Sequence, residues 1–408
     1  MKVLLVTMKN PFGAKDGGSL AILNVIEGYK KLGFEVTLLM MNTLKHFIPL
    51  SQLKPKIDEL GVEVIDITID TGIKPFDALK NLLFSNLPYN LERFYSKKFA
   101  QILSDLITNN NFSFIQFESS YIGLYIDIVK EKAPNVPLFL RAHNVEYEIW
   151  ERNSTVQKNF LKKIYFKIIA QRFKKWEESL FCKYNAILPI TIRDKNKIQK
   201  NCPNGKFFTL PYTINIADFP YEEIKLNDLS IAYLGALDWI PNQEGILWFL
   251  ENVWDRIYNY YPGLKFYIAG RNAPDWLERK IKSHPVEYLG EISDARAYQL
   301  EHPIFVVPLL SGSGMRIKII EQMALGRVVI STPIGAEGID ITNMENGLLA
   351  QEPDDFIKNI DYLYRNPDGI RYISKNARLT VESLFDSKEI FEKLYKFIIK
   401  VLEENKNK

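Results

Sequence analysis

The sequence predicts an α/β protein of two Rossmann-like units, each a doubly wound parallel sheet with helices on both faces. Three observations carry this prediction. The chain has 408 residues, more than one hydrophobic core ordinarily holds. Short apolar runs, the mark of strands buried on both faces, alternate with stretches of helical periodicity. After a proline-bearing stretch at 203–228 the alternation begins again. Parallel neighbours are reached only through crossover connections, so repeated strand–helix units imply sheets covered on both faces.

In the first half, Lys2–Met8 is a nearly unbroken apolar run. Its length suits a buried strand, and no small-residue cleavage site follows it, so it does not read as a signal peptide. A glycine turn, Gly17-Gly18-Ser19, leads into a helix over Leu20–Lys31, which Gly33 ends. Strands follow at Glu35–Met41, Val62–Ile67, Phe114–Glu118, Pro137–Arg141 and Ala186–Ile190. Residues 203–228 carry Pro203, Pro211 and Pro220 with little periodicity, the character of a linker. The first domain is therefore expected over 1–202 and the second over 229–385. The second opens with a strand at Leu229–Gly235 and a helix at Glu244–Tyr260. It continues with strands at Leu264–Gly270, Val286–Gly290, Ile304–Pro308 and Arg327–Ser331. The polar tail Glu403–Lys408 is expected to fray.

Composition narrows the partners. With 52 basic and 49 acidic residues the net charge is +3, which does not point to nucleic acid. No stretch reaches the roughly 20 apolar residues of a membrane-spanning helix. The two cysteines, Cys182 and Cys202, have a spacing that fits no metal or redox motif. They are expected as reduced thiols, and the protein as cytoplasmic.

In parallel sheets of this kind, ligands bind beyond the carboxyl ends of the strands. The most informative segment there is Ser311-Gly312-Ser313-Gly314-Met315-Arg316, continuing through Lys318 to Glu321. Two glycines let a backbone approach a ligand closely. The start of the following helix offers free N–H groups and the positive end of a dipole, both suited to phosphate. Arg316 and Lys318 are badly placed for that dipole, a conflict that a bound diphosphate would resolve. Glu321, about two turns into the helix and among apolar neighbours, can accept two hydrogen bonds from a ribose diol. The plain alternative is a glycine turn before a solvated, charged helix face.

The stretch from Ser311 to Ile339, SGSGMRIKIIEQMALGRVVISTPIGAEGI, resembles the nucleotide-sugar motif of family-4 glycosyltransferases, which have the GT-B fold. The stretch YLGALDWIPNQEGILWFLENVW from Tyr233 is similar to the first strand–helix unit of their C-terminal domain. The resemblance implies two Rossmann-like domains facing across a cleft, with a last helix at Lys388–Leu402 crossing back onto the first domain. It implies a UDP- or GDP-sugar donor, a glycan or lipid-linked acceptor, and a role in surface polysaccharide or glycolipid assembly. The family carries two glutamates eight positions apart. Glu321 matches the second, the ribose ligand, and Ser313 stands where the first would fall. An Arg and a Lys often follow the family's first C-domain strand. Here Asp238, Trp239, Pro241 and Asn242 stand there, and Arg316 and Lys318 are the expected substitutes. By resemblance, Gly312, Ser313, Gly314, Met315 and Asn242 line the donor site, as do Arg271 and Ile292, with Glu291, near the base. Glu337 follows the fifth strand of that domain.

On the first domain, the N–H groups of Gly17, Gly18 and Ser19 are candidates to hold a phosphate or the acceptor. His143, one of four histidines, directly follows a buried strand. The resemblance assigns it to the donor sugar, with its carbonyl stabilising positive charge. Asn144 and Glu146 are further candidates, Asn144 alternatively as a helix cap. No Asp-x-Asp pair is placed for a metal, and no nucleophile–base pair is evident, so no cofactor is expected. The resemblance then implies retention by front-face attack, the departing phosphate taking the acceptor's proton. Two other readings stay open: a nucleotide-sugar epimerase on the same fold, and a non-catalytic glycan- or nucleotide-binding relative. A dinucleotide-dependent dehydrogenase is disfavoured, because the first turn lacks Gly-x-Gly-x-x-Gly.

Val156–Trp176 contains seven Lys or Arg and no Asp or Glu, with a broad apolar face through Phe160, Ile164, Ile168 and Phe173. It reads as a helix packed on the first domain with a basic rim, or as one lying on an anionic membrane.

Overall fold

The computed structural model describes residues 1–13, 16–44, 47–157, 159–226, 229–312 and 314–407, the side chain of Val156 excepted. The chain divides into two compact units, Met1–Tyr212 with Ile390–Lys408, and Thr213–Glu389. The first holds the strands β1 (Lys2–Thr7), β2 (Glu35–Thr43), β3 (Glu63–Ile69), β4 (Phe114–Glu118), β5 (Leu138–Ala142) and β6 (Ala186–Pro189). They form one sheet in the order β3-β2-β1-β4-β5-β6, parallel throughout. The second holds β7 (Ser230–Leu234), β8 (Lys265–Ala269), β9 (Glu287–Gly290), β10 (Ile304–Val307), β11 (Val328–Ser331) and β12 (Leu348–Leu349). Its sheet, β12-β11-β10-β7-β8-β9, is also parallel. Within each unit the first strand therefore lies between the second and the fourth. This is the doubly wound order that opens a crevice where the winding reverses.

Buried strands explain why the sheets were legible. Leu4 and Val6 join one core with Phe117 and Phe173, while Val3 and Leu5 join the core on the other face with Ile26 and Phe114. Successive side chains alternate between faces, so a strand covered on both must be apolar throughout. The helix Ser387–Lys406 covers the second of these faces with Phe391, Leu394 and Ile398. Phe391 packs so closely on Gly28 that a Cβ there would collide with its ring. From Ile390 onward the helix belongs to the first unit.

Several expectations are corrected. The stretch 203–228 is not a free linker. Its start pairs with β6, since Ile187 N donates to Lys206 O at 2.9 Å and Leu210 N to Pro189 O at 2.8 Å. The unit boundary falls between Tyr212 and Thr213, and Ile224 lies in the second core. Backbone pairing needs no side-chain periodicity, so composition missed it. The helix expected over Glu244–Tyr260 begins at Ile240 and is interrupted by a wide π-type turn at Leu250–Trp254. That turn carries the fully buried Trp254, whose Nε1 donates to Pro285 O at 2.9 Å. Strand β12, two residues long, leaves no readable pattern.

Val156–Trp176 is not one helix. A helix over Glu146–Val156 ends there, and a new one runs over Phe160–Phe181, capped by Asn159. Within the second helix Ile169 and Phe173 are buried, whereas Phe160, Leu161 and Ile164 are exposed. Among the described residues no helix is long and apolar enough to cross a membrane.

The cysteines are not free thiols. Cys182 follows the helix Phe160–Phe181, Cys202 ends the helix Ile192–Asn201, and packing brings their Cα atoms to 5.4 Å in a disulfide. The spacing of 20 residues concealed this, because the approach is made by two helices folding beside β6. Closing a loop of that length stabilises a protein by about 3 kcal/mol. Cys182→Ser is expected to lose about that much, read as a lower urea midpoint in non-reducing buffer. An unchanged midpoint would contradict the pairing.

Candidate active site

In the second unit the winding reverses between β7 and β10. The loop after β10 turns through Gly312, with φ at +116°, and Gly314, with φ at +85°, backbone conformations that side-chain-bearing residues resist. The helix Ile317–Ala324 follows at once, with Arg316 at its cap position. Glu321 is thus the fifth residue of the helix, closer to its start than the two turns expected. Ser313 lies outside the described residues.

Both cations of this turn reach toward the loop after β7. The Arg316 guanidinium is buried, donates to the Gly314 carbonyl, and stands 5.4 Å over the Trp239 ring. Lys318 Nζ donates to Leu234 O at 3.1 Å and lies 4.8 Å over the Tyr233 ring. Burial, and then the charge of Arg316, push the Lys318 ammonium down to about 7. Two like charges are thereby held together at a strand end, an arrangement that an anion would relieve.

Glu321 is half-buried and pushed up to about 7 by burial, although Arg296 and a hydrogen bond with Gln299 oppose the shift. The backbone between these groups is tightly pinned. Gly245 of the helix Ile240–Phe249 meets the Pro308 carbonyl so closely that a Cβ would not fit. Ser311 Oγ donates to Glu244 Oε2 at 3.3 Å.

The other residues expected at the donor site take more structural places. Asn242 is buried, and its amide donates to Ala236 O at 2.8 Å, holding the loop after β7. The Arg271 carbonyl accepts from Leu237 N at 2.8 Å, and Asn272 Nδ2 donates to Asp238 Oδ2 at 3.0 Å, so the loops after β7 and β8 are joined. Ile292 packs, half-buried, against the cluster of Ala232, Ala269, Tyr298 and Phe305, while Glu291 is exposed. Met315 and Glu337 are half-buried.

In the first unit His143 follows β5 directly, and Glu118 is the last residue of β4. His143 Nε2 lies 2.8 Å from Glu118 Oε2, and Arg141 Nη1 lies 3.4 Å from the same oxygen. Arg141 and Glu118 are fully buried. Burial favours a neutral Glu118, yet the Arg141 charge and bonds from His143 and Gln116 hold its pKa below the usual value. Burial, with the Arg141 and Lys9 charges, lowers the His143 pKa although Glu118 raises it. A neutral imidazole beside an ionised carboxylate must donate from Nε2, which leaves Nδ1 as an acceptor. Sequence reasoning missed Glu118, although an acid closing the apolar strand Phe114–Glu118 was a readable signal.

Gly17, Gly18 and Ser19 form the first turn of the helix Gly17–Lys31 rather than a turn before it. The N–H groups of Gly18 and Ser19 both donate to Asp16 Oδ1, at 3.1 Å each, and Lys9 Nζ stands 2.6 Å from the same oxygen. Against the effect of burial, Lys9 and Ser19 hold Asp16 down to about 2. The anion that this helix end favours is thus supplied by the chain itself.

Asn144 is not a helix cap. The helix Glu146–Val156 is capped from a distance by Glu177, which accepts from Glu146 N and Tyr147 N at 3.2 Å each. Burial raises Glu146 to about 7, and burial with the nearby Glu146 raises Glu177 to about 8. Asn144 instead hydrogen-bonds the Glu146 side chain. A cavity of about 460 Å³ beside Cys182, Asn185 and Lys206 lies at the amino end of β6, sharing no residue with these groups.

The family described as glycosyl transferases group 1 matches residues 228–366, which include Arg316, Lys318 and Glu321. The second unit carries a glycosyl transferases group 1 domain. Across its length the chain is similar to an uncharacterized 44.6 kDa protein in the cps region of Klebsiella pneumoniae. The two are 24% identical over 97% of this chain and 99% of that one. Among solved structures, a glycosyltransferase from Rickettsia africae superposes with a TM-score of 0.69 at 15% identity, over 98% of both chains. Alr3699/HepE of Anabaena, in complex with UDP-glucose, superposes at 0.64 with 12% identity, over 99% of this chain and all of the other. At these identities the likeness is one of fold, the two-unit GT-B class that the sequence implied.

The buried Arg141–Glu118 pair yields a stability prediction. Glu118→Leu leaves the Arg141 charge buried without its partner and is expected to cost roughly 3–5 kcal/mol, measured by urea unfolding. Glu118→Gln keeps an acceptor in place and is expected to cost distinctly less.

Proposed function

We propose that the enzyme transfers a hexose from a UDP- or GDP-sugar, with retention of configuration, to a glycan or lipid-linked acceptor. The observation that carries this reading is the pair Arg316 and Lys318 at a glycine turn, with a half-buried Glu321 just behind it. Paired cations and a helix start suit a diphosphate, and a carboxylate at that depth suits a ribose diol. The solved relative from Anabaena was obtained with UDP-glucose, which supports a nucleotide-sugar donor. The relative from a cps region supports a role in surface polysaccharide assembly. Such work would place the enzyme in the cytoplasm, near the inner face of the membrane.

In this reading the bond from the anomeric carbon to the phosphate oxygen breaks as the bond to the acceptor oxygen forms on the same face. The acceptor's proton passes to the departing phosphate. Arg316 and Lys318 meet the charge that develops on that phosphate, and no metal is assigned a part. His143 Nδ1 accepts from a sugar hydroxyl, with Glu118 fixing the tautomer.

The direct test is turnover of nucleotide sugars chosen by thermal shift. Wild-type enzyme is expected to form the retained anomer by NMR, with full activity in chelator. Glu321→Ala is expected to lower kcat/KM roughly a hundredfold, from two lost hydrogen bonds to a half-buried carboxylate. An inverted product, or a Glu321→Ala variant as active as wild type, would sink the reading.

The site also predicts opposed proton movements on binding the nucleoside diphosphate near pH 7. A diphosphate favours the charged form of Lys318 and draws a proton in. A diol favours the ionised form of Glu321 and releases one. Titration calorimetry in buffers of different ionisation enthalpy is expected to show net uptake with Glu321→Gln and net release with Lys318→Met.

A further inference from the structure

The helix Pro75–Phe84 is turned inside out. Its apolar side chains recur at helical spacing, the stripe that ordinarily faces a core. Here that stripe faces solvent: Phe76 is 78% exposed, Leu79 55%, Leu83 65% and Phe84 82%. A neighbouring helix, Lys97–Asn109, shows the ordinary arrangement, with Phe99, Leu103 and Ile107 all buried. The inward side of Pro75–Phe84 instead carries Asn81, which is buried and donates to Leu87 O at 3.0 Å and to Glu92. Those bonds fix the rotation of the helix, so the exposed stripe is a built feature of the unit.

A second exposed apolar group stands on a helix joined to the first. Arg172 of the helix Phe160–Phe181 donates to Asn81 O at 3.2 Å and to Leu82 O at 2.8 Å, occupying the carbonyl end of Pro75–Phe84. At its own start the longer helix exposes Phe160 at 73% and Leu161 at 75%. The charges beside these side chains are mostly basic. Lys80, Lys162 and Lys167 are exposed, Asp77 is the one acid on Pro75–Phe84, and no acid falls between Phe160 and Trp176.

We propose that Pro75–Phe84 and the first turns of Phe160–Phe181 form a surface that docks on an anionic lipid bilayer. Exposed phenylalanines and leucines enter the boundary between headgroups and acyl chains, and the lysines beside them meet the anionic headgroups. Charge complementarity selects this occupant, since a purely apolar partner would leave the lysines without counter-charges. The proposal goes beyond the donor reading, and its test needs no sugar.

The test is flotation of the full chain with vesicles of equal parts phosphatidylglycerol and phosphatidylcholine, and with phosphatidylcholine alone. Wild type is expected to float with the anionic vesicles and not with the neutral ones. Two variants are compared, Phe76→Ser with Leu83→Ser and Phe84→Ser, and Lys162→Gln with Lys167→Gln. Each is expected to reduce the bound fraction at least roughly tenfold while keeping its circular dichroism melt. The idea is overturned if wild type fails to float, or if the serine variant floats as wild type does. It is equally overturned if light scattering shows a wild-type dimer that the serine variant dissolves, because a second copy then covers the stripe. Nucleotide binding, read separately by thermal shift, is expected to be the same in all three proteins, so failure here leaves the donor reading standing.

Discussion

The second unit depends on the contact between the turn after β10 and the loop after β7. Two cations reach across it, Arg316 over Trp239 and Lys318 onto the Leu234 carbonyl, and Gly245 seats the intervening helix against Pro308. The doubly wound order makes β7 and β10 neighbours, so their carboxyl ends meet although their residues are far apart in sequence. Burial, and then the neighbouring Arg316 charge, lower the proton affinity of Lys318.

The first unit solves the opposite problem. Its strand ends are rich in acids, and each is held in a defined state by its own neighbours. Glu118 stays ionised between Arg141 and His143, and Asp16 stays ionised between Lys9 and two backbone amides. Burial raises Glu146 to about 7, and burial with the Glu146 charge raises Glu177 to about 8. A neutral His143 with a fixed tautomer follows from this arrangement. The amides of Gly18 and Ser19, which look free in the sequence, are taken by Asp16 because a helix start attracts the nearest anion.

Much of the architecture was legible because burial on both faces forces strands to be apolar throughout. Phe114–Glu118 was read without error, and most other strands to within a residue or two. The glycine turn and Glu321 were legible because positive φ and a carboxylate among apolar residues are local signals. Glu118 and Gln299 act through side chains that meet across elements, and Glu177 caps a helix on which it does not lie. Such partnerships leave no spacing to read. The disulfide between Cys182 and Cys202 escaped for the same reason.

The sequence by itself determined two parallel α/β units, the strand ends where chemistry belongs, and the resemblance to glycosyltransferases. It could do so because periodicity and turn chemistry are properties of neighbouring residues. Only the tertiary structure decided which charges are paired and which protons are held. It also decided that the apolar stripe of Pro75–Phe84 faces outward, since a buried Asn81 and its partners set the rotation of that helix. Burial and partner choice arise between distant segments, and a single chain of letters does not carry those distances.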